Sequence, residues 1–214
     1  NAPVLQTAVY AGYDQPSGQF TYTTEVAPAQ RAQLVAAFNG GFRLDASNGG
    51  WYEDHQVPVP LRNGAASLIV YSDGTATVGM WGRDAVMGPS VSEVRQNLDL
   101  LVDNGQVASS VSDPLGAWGA TLGNVVNTWR SGLGVDAGGH LIYVAGPGLS
   151  PADLAHILVA AGSVRAMELD INPQWPLFDS FSGGQPTKLL GGMYYDAGHY
   201  FGANERDFVA VFAP

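Results

Sequence analysis

Short runs of apolar and β-branched residues, separated by turn-forming pairs such as Asn-Gly and Asp-Gly, dominate the pattern along the chain. Residues 67–71 and 75–79 are two such runs, and the Asp73-Gly74 pair between them is a strong hairpin signal. Residues 132–136 and 140–144 repeat this arrangement around a Gly-Gly pair. We therefore predict two antiparallel hairpins.

Residues 151–161 have the pattern of a capped helix. Ser150 can cap the first turn, Pro151 suits the first helical position, and Asp153 completes a capping box. Apolar residues then recur every three or four positions up to Gly162, which favours the end of a helix.

Other segments give weaker patterns. Residues 28–34 predict a short helix that leads into a strand at 35–38, whereas residues 92–101 fit a helix or a strand equally well. Residues 164–170 predict a strand, and residues 179–192 a loop rich in Gly and Ser.

These elements predict an α+β fold, with a mixed, largely antiparallel sheet packed by one or two helices. The chain of 214 residues is long enough for one domain with a sizeable core, and a second core would be cramped. We therefore expect a single domain over residues 1–214.

The chain is acidic, with 9 Lys and Arg against 19 Asp and Glu and a net charge of −10. Scattered basic residues argue against nucleic acid as a partner, because phosphate backbones bind clusters of Lys and Arg. The absence of Cys excludes disulfides, thiolate metal sites and a Cys nucleophile. No apolar run approaches the ~18 residues that a membrane-spanning helix needs. The first residue is Asn1 rather than Met, which indicates a processed or trimmed product.

Glu168 and Asp170 are the strongest candidates for chemistry. On a strand, residues two apart point to the same face at about 6.5–7 Å, while Met167 and Leu169 point into the core. Paired carboxylates are costly unless they bind a cation or a cationic group, or one stays protonated. Each outcome is useful to an enzyme, but a solvent-facing acidic strand has the same pattern. A divalent cation, Ca²⁺ or Mg²⁺, stays open as a cofactor, although no ligand spacing demands one.

Further polar residues are candidates for binding. Asn39 begins an Asn-Gly-Gly sequence after an apolar run, where the backbone can approach a ligand, although Asn-Gly is first of all a turn. Arg130 could neutralise the acidic pair, bind an anionic substrate group, or form an ordinary surface ion pair. His55 and His199 lie in loops rich in aromatic and acidic residues and are weaker acid–base candidates.

Several short motifs occur in the order and spacing of one known family. They are the Asn-Gly-Gly-Phe sequence at 39–42, the turn at 103–105, and the segments 130–136, 149–155 and 166–170. In this combination, residues 33–212 of the chain resemble the phosphodiester glycosidase family.

The resemblance implies functional positions. The family's Asn-Gly-Gly motif falls on Asn39, its arginine strand on Arg130, and its acidic strand end on Asp170. After that aspartate the family continues with glycines and a serine. This chain instead has Asn172 and Trp175, whose side chains replace an open backbone surface.

The reaction that the resemblance implies is hydrolysis of a glycosyl phosphodiester, releasing a sugar and a phosphomonoester. One carboxylate would stabilise the positive charge that develops at the anomeric carbon, and another carboxyl or a water would transfer protons. The other residues would bind the substrate. For this reaction we predict Asp170 and Glu168 as the catalytic carboxylates and Arg130 as the phosphate ligand. Asn39, Asn172 and Trp175 are the other predicted substrate-binding residues. We expect a secreted or extracytoplasmic bacterial enzyme that acts on a cell-envelope or capsular glycan.

Two other functions fit the same sequence. One is a glycosidase on the same scaffold that cleaves an unphosphorylated glycan, which the altered segment after Asp170 favours. The other is a non-catalytic carbohydrate-binding module, since flat tryptophan faces suit sugar rings.

Overall fold

The structure, a computed structural model, describes residues 4–113 and 117–214. In chain order its strands are β1 Gln6–Tyr10, β2 Leu34–Asn39, β3 Trp51–Glu53, β4 Gln56–Val59, β5 Ala66–Tyr71, β6 Ala76–Met80, β7 Val91–Gln96, β8 Leu100–Asp103, β9 Gln106–Val107, β10 Thr128–Val135, β11 Leu141–Leu149, β12 Arg165–Glu168, β13 Phe178–Ser182, β14 Gln185–Lys188 and β15 Phe208–Phe212. Two α-helices are described, α1 Leu44–Ser47 and α2 Pro151–Ala160. Short 3-10 helices lie at Pro28–Gln30, Ser109–Ser112, Leu122–Asn124 and His199–Phe201.

The strands form three five-stranded sheets with the orders β1-β15-β2-β13-β14, β11-β10-β12-β8-β9 and β4-β3-β7-β5-β6. Neighbouring named strands pair antiparallel throughout. The fold is therefore α+β and largely β, as predicted. The expectation of a single mixed sheet is corrected to three sheets, because these short strands cover a common core from three sides.

The three sheets share one apolar core. Phe38 of the first sheet, Met167 of the second and Trp51 of the third all belong to the same buried cluster. Helix α2 covers the outer face of the second sheet, where Leu154 and Leu158 pack with other buried apolar side chains. Burial of these apolar groups is the main favourable contribution to folding.

The strongest local patterns are confirmed. Both hairpins form, as β5–β6 and β10–β11. Helix α2 has the capping box between Ser150 and Asp153, and Gly162 follows its end with φ +100°. The short helix expected at 28–34 is a single 3-10 turn, Pro28–Gln30.

Two segments differ from expectation for identifiable reasons. The ambiguous residues 92–101 form strands β7 and β8, and buried polar residues such as Glu93 and Arg95 obscure the usual strand alternation. The expected loop at 179–192 contains hairpin β13–β14, which turns at Gly183 and Gly184, both with positive φ. This hairpin lies at a sheet edge and is partly exposed, so its apolar pattern is weak.

No described helix has the length and apolar character that crossing a bilayer requires.

Candidate active site

A narrow pocket of about 310 Å³, counting its open mouth, lies where strands of two different sheets end. Asn39 ends β2, Asp170 follows β12, and Asp207 precedes β15. The lining residues are Asn39, Gly40, Gly41, Asp170, Trp175, Leu177, Tyr195, His199, Tyr200, Asn204, Arg206 and Asp207. Two aspartates, an arginine and a histidine therefore meet aromatic faces in one concave site, which is typical of a small-ligand pocket.

A buried ion pair between Arg95 and Asp207 underlies the pocket. Arg95 Nε lies 2.9 Å from Asp207 Oδ2, and its Nη2 lies 3.2 Å from Oδ1, with side chains only 2% and 1% exposed. The carbonyls of Phe42 and Gln96 accept the remaining guanidinium hydrogen bonds. This two-point pairing fixes the orientation of the Asp207 carboxylate.

The Asn-Gly-Gly sequence exists in this form because the ion pair packs on it. A Cβ on Gly40 would overlap the Asp207 carboxylate, and one on Gly41 would lie 2.8 Å from Arg95 Cζ. The backbone N–H of Gly41 also donates to Asp207 Oδ2 (3.3 Å). Close approach of Asp207 and Arg95 is therefore enough to require both glycines, which is a structural role as the Asn-Gly pattern also suggested.

Asp170 presents a titratable carboxyl to the pocket. Its Oδ1 accepts hydrogen bonds from the backbone N–H groups of Ile171 (2.8 Å) and Asn172 (2.9 Å), and Arg206 Nη2 lies 3.5 Å from Oδ2. Burial raises the pKa of Asp170 to about 6, and the charge of Asp207 adds to this rise, while Arg206 and the two backbone donors oppose it. A carboxyl with this pKa can exchange a proton near neutral pH.

Arg206 lies between the two carboxylates and the aromatic wall. Its side chain is 11% exposed, Nη2 donates to the Gly41 carbonyl (2.9 Å), and the guanidinium lies 5.1 Å from the ring centre of Trp175. Arg206 Nε is buried and has no hydrogen-bond partner among the described residues. An unpaired buried donor calls for an explanation, and a bound water or ligand would supply the acceptor.

Asn39 is held by a network that also reaches Asp170. Its Oδ1 accepts from Tyr143 Oη (2.7 Å), and its Nδ2 donates to Ser131 Oγ (3.0 Å). The same Ser131 Oγ accepts from the backbone N–H of Asp170 (3.2 Å). Asn39 therefore lines the pocket and also helps to hold the backbone of Asp170 in place through Ser131.

Glu168 and Arg130 lie behind the pocket and do not line it. Both are fully buried, and Arg130 Nη1 lies 2.5 Å from Glu168 Oε1. The other guanidinium hydrogen bonds go to the carbonyls of Leu149, Trp118 and Val126. Arg130 and Glu168 hold each other, while Glu168 Oε2 has no partner among the described residues. The expected roles of Arg130 as phosphate ligand and Glu168 as second catalytic carboxylate stay predictions, which the position of both side chains behind the pocket does not favour.

Each of the two acids is paired with an arginine. Burial raises the pKa of Glu168 to about 7, with Arg130 opposing the rise and Asp170 adding to it. Arg130 pairs with Glu168, and Arg206 lies 3.5 Å from Asp170. Within residues 4–113 and 117–214, no group of three or more His, Asp or Glu could hold a metal ion.

The two remaining predicted residues lie on different sides of Arg206. Trp175 lines the narrow pocket, as its contact with Arg206 requires. Asn172 is exposed and lines a wider neighbouring groove instead. Its Oδ1 accepts from the backbone N–H of Gln174 (3.1 Å), which shapes the turn between Asp170 and Trp175.

Of the two histidines considered, only His199 lines the pocket. Its ring stacks on Tyr195, with ring centres 3.8 Å apart and planes 14° apart. Burial lowers the pKa of His199, so the imidazole is neutral near pH 7. His55 lies elsewhere and contacts Tyr52 Oη through Nδ1 (3.3 Å).

Comparison with known proteins connects this site to a family. The family model described as phosphodiester glycosidase matches residues 32–170. The chain belongs to the phosphodiester glycosidase family. Members of this family are hydrolases, so the expectation of an enzyme is confirmed.

A solved structure supports the fold of this phosphodiester glycosidase. The catalytic domain of zebrafish N-acetylglucosamine-1-phosphodiester alpha-N-acetylglucosaminidase, solved in a form auto-inhibited by its pro-peptide, matches with a TM-score of 0.56 and 16% identity. The match covers 100% of this chain and 85% of that one. A hypothetical protein from Synechocystis matches with a TM-score of 0.49 and 15% identity, covering 100% and 57% of the two chains. A search of curated proteins gave no match.

Sequence reasoning missed three charged residues of this phosphodiester glycosidase site. Arg206 and Asp207 lie beyond residues 32–170, and Arg95 is in the segment whose strand pattern is ambiguous. One available signal was the Arg206-Asp207 pair directly before the apolar run Phe208–Phe212, because polar residues at strand ends often form sites.

Proposed function

We propose that this phosphodiester glycosidase is a secreted bacterial hydrolase that cleaves a sugar-1-phosphate ester in a cell-envelope or capsular glycan. Family membership supports the reaction class, and the net charge of −10 with a single lysine supports a carbohydrate rather than a nucleic acid substrate. The zebrafish relative is named for a sugar-1-phosphodiester substrate, which supports the same bond in this chain.

The observation that carries the proposal is the placement of Arg206. A buried, unpaired Nε in a pocket with two carboxylates is suited to the phosphate of a substrate whose sugar lies against those acids. Trp175, under the guanidinium, and Tyr195 offer flat faces to the sugar ring.

The residues divide the chemistry between them. Water adds to the anomeric carbon, the bond from that carbon to the phosphate oxygen breaks, and the electron pair leaves with the phosphomonoester. Asp207, oriented by Arg95, stabilises the positive charge that develops at the anomeric carbon. Asp170 accepts the proton from water and releases it to solvent afterwards. Phosphate is a good leaving group, so no strong general acid is needed.

A panel of sugar-1-phosphodiesters and matching unphosphorylated glycosides tests this proposal, with released sugar and phosphomonoester measured separately. Asp170→Asn should lower kcat by about 10²–10⁴-fold. Arg206→Gln should raise KM for the phosphodiesters more than for any unphosphorylated glycoside. Because Arg206 lowers the pKa of Asp170, this variant should also move the acidic limb of the pH profile to higher pH with both kinds of substrate. Asp99→Asn, an exposed aspartate, is the matched control and should behave like wild type.

Three outcomes would contradict parts of the proposal. Full activity in Asp170→Asn would remove the proposed base. Preference for unphosphorylated glycosides would instead identify a glycosidase of the same scaffold that cleaves unphosphorylated glycans. Loss of turnover with EDTA would require a metal, whereas we expect none because arginines hold the positions beside both buried acids.

A further inference from the structure

A second cavity adjoins the narrow pocket across the Asp170–Arg206 contact. This wide groove has a volume of about 1040 Å³, counting the space at its open mouth, and it shares only Asp170 and Arg206 with the narrow pocket. A substrate that bridges the two cavities would therefore lie against Asp170 and Arg206, the two residues that line both. A phosphate at that point divides the substrate into a sugar in the narrow pocket and a leaving group in the wide groove.

The walls of the wide groove are mostly apolar. They include Phe42, Ala46, Ala120, Val125, Ile171 and Pro173, and the side chain of Val125 is half exposed to solvent. Exposed apolar side chains gathered in a cleft indicate a ligand-binding surface rather than ordinary protein surface.

The charges of the groove do not favour a polar or anionic leaving group beyond the phosphate. Arg43 lines the groove, but its guanidinium already pairs with Asp14 and with Asp45 (3.3 Å). Thr128 Oγ1 donates to the Ile171 carbonyl (3.3 Å), and Thr121 Oγ1 donates to the Val125 carbonyl (2.7 Å). The polar groups at the walls are thus largely used in holding the walls in place.

We propose that the wide groove binds the leaving-group half of the substrate and that this half is a hydrocarbon phosphate, with the phosphate at Arg206 and the apolar group against Val125, Ile171 and Pro173. The inference rests on the proposed function, because it assigns the groove to the leaving group of the proposed hydrolysis. It adds the chemical class of the leaving group, which distinguishes this enzyme from one that releases a sugar phosphate.

Binding of the released half tests this without turnover. Calorimetric titration with methyl, butyl and hexyl phosphate measures the contribution of the chain, with glycerol 3-phosphate as the polar compound of similar size to butyl phosphate. Full burial of a methylene is worth about fourfold in affinity, and half burial in an open groove about twofold, so hexyl phosphate should bind roughly 30-fold more tightly than methyl phosphate. Benzyl phosphate distinguishes a compact ring from an extended chain.

Two substitutions locate the effect. Val125→Asp should remove most of the dependence on chain length, because a carboxylate then faces the hydrocarbon. Val86→Asp, at another exposed loop valine outside the groove, should keep the wild-type dependence.

Equal affinities for methyl and hexyl phosphate would overturn the inference, and so would a chain-length dependence that survives Val125→Asp. These results are separate from the failure of the proposed function. Tight hexyl phosphate binding without sugar release would contradict the hydrolysis alone, whereas sugar release from a methyl ester with no chain-length dependence would contradict the groove assignment alone.

Discussion

Glu53 and Glu93 provide a sharp test of how buried charge affects this fold. They are buried directly opposite each other on β3 and β7. Glu53 Oε2 accepts from Trp51 Nε1 (3.0 Å), Glu93 Oε2 accepts from the backbone N–H of Val9 (2.6 Å), and Glu53 Oε1 has no partner among the described residues. Burial, together with neighbouring carboxylates, raises the pKa of Glu53 to about 8 and that of Glu93 to about 7.

Glu53 therefore holds a proton more tightly in the folded chain than in the unfolded chain, where its pKa is near the ordinary 4.5. Its contribution to stability is complete below pH 4.5 and is lost as the pH rises through this window to about 8. One pH unit within the window removes up to about 1.4 kcal/mol from the free energy of unfolding. Between pH 5.5 and 8 the loss from Glu53 is then roughly 3 kcal/mol.

Glu53→Gln isolates this effect, because the amide keeps the shape and can still accept from Trp51 Nε1. Urea unfolding followed by tryptophan fluorescence at pH 5.5, 7.0 and 8.5 gives the free energy of unfolding at each pH. The variant should match wild type at pH 5.5 and exceed it by roughly 3 kcal/mol at pH 8.5. Glu25→Gln, at an exposed glutamate, should follow wild type throughout. A constant difference between Glu53→Gln and wild type across this range would refute the reasoning.

Three further outcomes can be checked directly. Gly40→Ala should displace Asp207 from Arg95 and cost about 3–5 kcal/mol in unfolding free energy, whereas Gly191→Ala, with no atom within 4 Å of the added Cβ, should cost far less. If Asp170 is the base, kcat/KM should fall as the pH drops through about 6, and this limb should keep its position in His199→Gln; a limb that disappears in His199→Gln would assign the proton transfer to the histidine. Arg130→Met should destabilise by about 3–5 kcal/mol because Glu168 is left buried and unpaired, and adding Glu168→Leu should recover much of the loss; no recovery would mean that the arginine acts through its backbone contacts alone.

Features with a local cause could be predicted from the sequence. The two hairpins depend on turn residues that lie between their strands, and α2 depends on Ser150 and Asp153, three residues apart. Asn39 and Asp170, each a polar residue at the end of an apolar strand, were predicted as site candidates, and both line the narrow pocket. In these cases the physical reason lies within a few residues of the feature itself.

Features with a distant cause could not be predicted. Glu168 and Asp170 are two residues apart, but their environments are decided by Arg130 and Arg206, which lie 38 and 36 residues away from them. The alternation of side chains along a strand places both acids on the same face. It does not show which arginine contacts which acid. The candidate site is therefore recognisable from strand ends. Which of its residues line the pocket and which lie behind it can be known only from the fold.

The position of β15 means that the fold depends on the last residues of the chain. This strand is inserted between β1 and β2, and Asp207 at its start reaches Arg95 across a separation of 112 residues. Any fragment that ends before Arg206 leaves Arg95 without its counterion Asp207, and it also lacks the arginine of the pocket. Stability and activity should thus appear together, in a single late step of assembly, so that a partly made or clipped chain is both inactive and readily degraded.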